Sequence, residues 1–406
     1  MLTGLAVLLA VAAVALVLSR RSVRDSAGWR ATVTPLASII GSGFLVVTPL
    51  LAGAVGPWAP VAMAGIVVLA YWVGSASRIV IAELEPGLAD RSLPRVLIDL
   101  ERLSRLLLGF AYVVSVAFYV RLMASFLLRS VGDGELAAQL VATVVLGVIG
   151  VVGWLRGLHG LELLEEGAVG TKLAIIAGLL AAMALFALGD PTAVIRAYET
   201  DFQGVSGLDT ARILAGMLLV VQGFETSRYL GAHYDAERRV ASMRHAQLLS
   251  GAGYVLFVLL GVRLFGALPV AADETAILDI ADELTPVLAP LLVVAAVASQ
   301  LSAAVADTAG GGEMLTGASR RVPAAGVGYV AVTGAAIAVV WLADVFAIIS
   351  FASRAFAAYY LSQTLMVLAY TVSSPRSERR RHRLVSYGAL VVVLGFVVLF
   401  ARPAAA

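Results

Sequence analysis

Apolar runs of roughly twenty residues recur along the whole chain, and each is long enough for an α-helix to cross the hydrocarbon of a bilayer. Backbone N–H and C=O groups in lipid must be satisfied within the protein, so a chain of this kind folds as a helix bundle or as a closed barrel. A barrel would show alternating segments of about ten residues, and the sequence has none. The chain therefore reads as an all-α polytopic membrane protein. Its composition agrees: of 406 residues 60% are hydrophobic and 14% charged, with a mean hydropathy of +0.94. A water-soluble core could not hide that much apolar side chain, which excludes soluble enzymes, nucleic-acid binders and secreted modules. A net charge of +2 gives no reason to expect a polyanionic partner. The absence of cysteine removes disulfides and thiol chemistry. The four histidines, His159, His233, His245 and His382, fall in expected loops, so neither a histidine metal cluster nor a cofactor is expected.

Reading apolar runs against charged and Pro/Gly breaks gives twelve spans: 1–19, 32–54, 58–82, 103–128, 136–155, 168–188, 209–227, 246–268, 286–308, 323–342, 345–372 and 384–401. The first lacks a basic residue ahead of its apolar run and is followed by Arg20, Arg21, Arg24 and Arg30, so it reads as a retained helix with its N-terminus outside. Alternation then puts Arg91, Arg95 and Arg102, Arg238, Arg239 and Arg244, Arg320 and Arg321, and the Arg376–Arg383 cluster on the inner side, as the positive-inside rule requires. The expected location is a cell membrane. Ten spans remain once the first and last are set aside, five before the polar segment 190–208 and five after it. An odd-numbered repeat must enter the membrane from opposite sides, which is the inverted-repeat plan of many secondary transporters. The resulting divisions are 1–30 (extra helix and basic loop), 31–190 and 191–372 (two five-helix repeats), and 373–406 (basic loop and final helix).

Such a plan predicts a break near the middle of the first helix of each repeat. The second span carries Gly41-Ser42-Gly43 and the seventh carries Gly223-Phe224-Glu225-Thr226-Ser227. Unwinding there would free N–H groups at a half-helix N-terminus, suited to a carboxylate or another anion. Close helix packing is the competing explanation for Gly-x-Gly. The carboxylate at the second break favours function, because intramembrane charges are costly.

The run Ile39-Ile40-Gly41-Ser42-Gly43-Phe44, then Gly56-Pro57 and Ala82-Glu83-Leu84, resembles the first two core helices of the amino acid-polyamine-organocation superfamily. Gly223-Phe224-Glu225, with the basic loop Asp235 to Arg244, looks like that superfamily's sixth core helix and its exit. The resemblance implies a leucine-transporter-type 5+5 fold, alternating access, and substrate held by Gly41, Ser42, Gly43 and Gly223 with Phe224 as an occluding ring. It also implies that Lys172, the sole lysine, stands where sodium-coupled relatives hold sodium; a lysine snorkelling to the boundary is the alternative. Glu225 is expected to carry a proton, the alternative being a pair with Arg228 on the same helix. Asp307 either joins Lys172 at the cation site or is a charge at the inner boundary.

Arg121 and Arg354 lie far from span ends and need anions, either an anionic substrate for one of them or carboxylates such as Glu225 and Asp344. Arg78, Glu83 and Glu85 read as inner gate or boundary residues. Trp72, Tyr112, Tyr119, Tyr359 and Tyr360 either line the path or pack. Gly310-Gly311-Gly312 reads as a loop. The expected activity is secondary transport of an amino acid or related amine-containing solute, sodium-independent, by exchange or with protons. An inorganic ion or other solute on the same fold is the alternative, as is a membrane sensor without turnover. The expected partners are a small-molecule substrate, the bilayer and protons, with no nucleic acid and the oligomeric state open.

Overall fold

The computed structural model describes residues 2–41, 43–129, 134–156, 162–189, 207–262, 275–318, 325–373 and 380–402. The described residues are helical throughout, joined by short turns. An N-terminal helix α1 (Leu2–Ser19) precedes the first interrupted span, made of α2 (Ala27–Ile39) and α3 (Gly43–Val55). Then come α4 (Ala59–Ile79), α5 (Arg95–Leu128), α6 (Glu135–Arg156) and α7 (Glu162–Gly189). The second interrupted span begins with α8 (Gly207–Gly216) and ends in the single turn α9 (Thr226–Tyr229). It is followed by α10 (Ala236–Gly261), α11 (Ile277–Leu284), α12 (Leu288–Ala318), α13 (Ala325–Leu342), α14 (Val345–Ser373) and α15 (Arg380–Phe400).

Among the described residues, eight helical stretches are long and apolar enough to cross a bilayer, and two shorter apolar helices, Thr3–Ser19 and Gly326–Leu342, accompany them. The two interrupted spans add no uninterrupted crossing of their own, since α2 and α8 stop part-way and α3 runs on into the stretch Gly43–Ala89. In α5 83% of the most apolar window is buried and in α14 67%, so these two form the inside of the bundle.

Packing follows an order: α4 lies against α10, α5 against α12 and α6 against α13. α1 lies along α7, and α15 along α14.

Several boundaries differ from expectation. α10 starts at Ala236, ten residues before the span read from 246, because the charged stretch taken for a loop is the water-side end of a helix. Asp235 caps it, its carboxylate accepting the Arg238 N–H at 2.7 Å. His245 and His382 are accordingly on helices, exposed, and not in loops. Arg30 lies within α2, which Ser26 caps by accepting the Trp29 N–H. Gly310–Gly312 are helical, not a loop: a β-carbon on Gly312 would come within 2.5 Å of the Tyr329 ring, and one on Gly328 within 2.5 Å of the Gly312 carbonyl oxygen. With no hydrophobic drive between helices in lipid, such close backbone approach supplies the dispersion contacts that hold them together.

Candidate functional site: two interrupted helices in contact

The first interruption follows Ile39. Ile40 leaves helical geometry at φ −81° and ψ 58°, and the chain resumes as α3 at Gly43. Gly41 lies in the gap, while Ser42 lies outside the described residues. A helix ending inside a membrane protein leaves carbonyls to be satisfied, and here three find donors. The Leu36 carbonyl takes the Ile40 N–H at 2.9 Å. The Ala37 carbonyl takes the Lys172 ammonium at 2.5 Å. The Ile39 carbonyl lies 2.9 Å from the Tyr254 hydroxyl.

The second interruption is wider than expected. α8 ends at Gly216, a 3₁₀ turn spans Leu218–Val221, and Gly223 adopts φ +119°, a region open to glycine. The two gaps touch. A β-carbon on Gly43 would meet the Val220 backbone at 2.7 Å, and one on Gly223 would meet Ser38 and Ile39 backbone atoms at 2.6 and 2.7 Å. Tyr254 of α10 staples them: its hydroxyl is also 2.6 Å from the Val220 carbonyl, and its one proton serves either acceptor. Phe44 stacks on Phe257 behind this contact, with ring centroids 4.4 Å apart.

Glu225 is buried, and its carboxylate accepts the Tyr360 hydroxyl at 2.7 Å and the Gly223 N–H at 2.9 Å. Phe224 stacks on Tyr360, centroids 5.0 Å apart and planes 19° from parallel. The expected alternative of an Arg228 pair is not what forms, since Arg228 turns to Glu101 at 2.7 Å and to Glu85 at 3.4 Å. Lys172 is buried, which overturns the snorkelling alternative, and its ammonium also donates to the Ser299 hydroxyl of α12 at 3.2 Å. Its ammonium thus joins α7, α12 and the carbonyl end of α2, where the helix dipole favours a cation.

Asp307 is buried rather than at a boundary, and it accepts the Ser115 hydroxyl of α5. Eight residues of α12, about 12 Å of rise, separate it from Ser299, so the two expected cation-site members occupy different levels. Arg121 and Arg354 do not reach Glu225 or Asp344. Arg121 donates to Glu135 and Ser125, and Arg354 to the Ala401 carbonyl beyond the end of α15. Trp72 faces α15, donating to Ser386 at 2.9 Å, while Tyr112, Tyr119, Tyr359 and Tyr360 are buried beside the interruptions.

Sequence reasoning missed four participants. Tyr254 sat unmarked in an apolar run. Gln222 donates to the Tyr119 hydroxyl at 3.3 Å. Gln300, next to Ser299, is fully buried with neither amide atom hydrogen-bonded. An intramembrane glutamine is a signal that could have been read. Glu101, at the water-side start of α5, joins Arg228, Glu85 and Arg239 in one cluster, with Arg239 and Glu85 2.6 Å apart.

A family model described as APC superfamily transporter matches residues 21–401. A protein of Aquifex aeolicus (strain VF5), itself described as uncharacterised, is 42% identical over 379 residues, covering 92% of this chain and 91% of its own. Among solved structures, the substrate-bound outward-open state of a sodium-coupled sialic acid symporter is similar, with a TM-score of 0.52 and 14% identity over 99% of this chain and 98% of that one. At that identity the likeness is one of fold. The chain is a multi-pass secondary transporter and not an enzyme, and it belongs to the APC superfamily.

Proposed function

We propose that the protein carries a small organic solute bearing a carboxylate, without sodium, by alternating access about the two interrupted helices. The observation that carries this is Lys172, whose ammonium bonds the Ala37 carbonyl and the Ser299 hydroxyl and so places a fixed cation between α2 and α12. A tethered charge there does the work of a bound one, holding the carbonyl end of the broken helix. The first N–H groups of α3, beginning at Gly43, have no partner within their own helix and suit an anionic group. Gly41, Ser42, Gly43 and Gly223 would then meet the substrate through backbone, with Phe224 covering it. Glu225 would exchange a proton, with the Tyr360 hydroxyl as its hydrogen-bond donor.

The same-rank pairing of α4 with α10, α5 with α12 and α6 with α13 supports a 5+5 inverted repeat, with residues 31–190 and 191–372 as its halves. Counting both interrupted spans gives twelve crossings, and the arginine-rich ends would face the cytoplasm with the N-terminus outside. One solved structure of similar fold is described as a sialic acid symporter, so a carboxylate that is not an amino acid is as suitable as the amino acids the superfamily resemblance suggests.

Uptake into proteoliposomes tests this, with labelled amino acids and N-acetylneuraminate supplied with and without sodium and with and without an inward proton gradient. Accumulation of a carboxylate without sodium is expected, and strict sodium dependence would overturn the role of Lys172.

A further inference from the structure

The segment that follows α15, at the end of the bundle away from the arginine clusters, is bound to the first half of the second interrupted helix. Arg402 donates its backbone N–H to the Arg212 carbonyl of α8 at 3.0 Å. Its guanidinium lies 3.1 Å from Asp209, which also holds Arg212 at 3.1 Å. The Arg212 guanidinium is in turn 5.9 Å from the centre of the Phe400 ring. Two nitrogens of Arg354, on α14, donate to the Ala401 carbonyl, one of them at 3.0 Å, and Ala401 is wholly buried. A guanidinium inside a membrane helix is costly, and this one is committed to a single peptide carbonyl. At Gly216, where α8 stops, a β-carbon would strike the Arg402 carbonyl oxygen, so the segment lies directly on the last turn of the half-helix. The Gly216 carbonyl accepts the Ser353 hydroxyl of α14 at 2.6 Å. Among the described residues α8 is thus held by α14 and α15, together with α3.

We propose that residues 400–402 form a strap that keeps α8 closed against α14, with Arg354 as the residue that positions it. The interruptions open on this side only when α8 tilts away from the strap. The inference rests on the alternating-access reading, though on neither the solute nor the coupling ion. Opening must break the Arg402–Arg212 backbone bond, the Ser353–Gly216 bond and the Arg402–Asp209 pair. The ion pair is partly exposed and weak, and none of the three leaves a buried charge without its partner. α8 can therefore leave while Arg354 keeps Ala401 in place, unlike the interlocked Arg228 cluster at the other end.

The chain has no cysteine, so single reporters can be introduced. Gln222→Cys lies in the second interruption and Ser77→Cys lies toward the arginine-rich end of α4, both at buried positions. Labelling of the detergent-purified full chain by a charged maleimide reads access without substrate or gradient. Alanine at position 216 suits a helix, but its β-carbon unseats the strap. Adding Gly216→Ala should therefore speed labelling at position 222 by about tenfold, and Arg354→Met should do so by a similar factor, because the strap loses its anchor. Labelling at position 77 should stay slow in both. Equal rates at position 222 with and without Gly216→Ala would overturn the strap, and so would faster labelling at both reporters, which would show general loosening instead. Since no solute takes part, failure here is separate from failure of the uptake assay.

Discussion

If the two interrupted helices hold each other, replacing Gly223 by alanine should cost more than any glycine substitution on an open helix face. Two terms add. Gly223 has φ +119°, a region that L side chains avoid, and holding alanine there costs about 1–3 kcal/mol. The added carbon would also lie 2.6 Å from the Ser38 carbonyl carbon and 2.7 Å from the Ile39 nitrogen. Both are backbone atoms at the end of α2, so no rotamer change relieves the clash, and overpacking adds about 1–3 kcal/mol. The sum is about 2–6 kcal/mol. Thermal unfolding of the detergent-purified protein, followed by tryptophan fluorescence, reads it, with Gly253→Ala as the control. Gly253 lies in α10 with nothing within 4 Å of a β-carbon, so alanine there should stabilise by about 0.5–1 kcal/mol. A fall in the midpoint for Gly223→Ala with none for Gly253→Ala is expected. Should both variants melt alike, the contact between the interruptions is not what holds the centre.

Lys172→Met should remove sodium-independent uptake in proteoliposomes and destabilise the protein by about 1–3 kcal/mol, because the Ala37 carbonyl loses its donor; wild-type uptake in that variant would refute the cation role. Tyr254→Phe releases the carbonyl that its proton serves and leaves the other without a nearby hydroxyl, and should lower the unfolding midpoint through a loss of about 1–3 kcal/mol; an unchanged midpoint would count against the staple. Glu101→Leu leaves Arg228 with only its longer 3.4 Å contact to Glu85 and should cost up to about 3–5 kcal/mol, whereas the double variant Glu101→Leu/Arg228→Met should cost less than the single one. Melting curves of the two variants decide this, and a double variant less stable than the single would refute it.

What could be read in the sequence was whatever repeats or is costly. Apolar runs near twenty residues mark crossings because lipid permits little else, and Gly41-Ser42-Gly43 and Gly223-Phe224-Glu225 mark interruptions because glycine and a carboxylate are out of place there. What could not be read depends on the third dimension. The polar run before residue 246 looks like a loop because a helix that leaves the bilayer stops being apolar without ceasing to be helical. The Gly310–Gly312 tract looks like a breaker because nothing local announces that Tyr329 and Gly328 will press against it. Tyr254 is an ordinary aromatic in an apolar helix until two carbonyls, one from each interruption, are brought to its hydroxyl.

The charges near the arginine-rich ends show the same division at its sharpest. Taken singly, Glu85, Glu101, Arg228 and Arg239 are each what a water-side helix end carries. Folded, Arg228 and Arg239 both reach Glu85, Arg239 also donates to the Arg228 carbonyl at 2.8 Å, and Arg228 reaches Glu101 across to α5. With Arg228 and Arg239 almost wholly withdrawn from solvent, neither charge is tolerable without the carboxylates, so the four cannot be separated one at a time. The short turn α9 that follows the second interruption is therefore tied to the starts of α5 and α10 as a unit. Any motion that opens this end of the bundle must break the cluster together, or carry those helix ends along with α9.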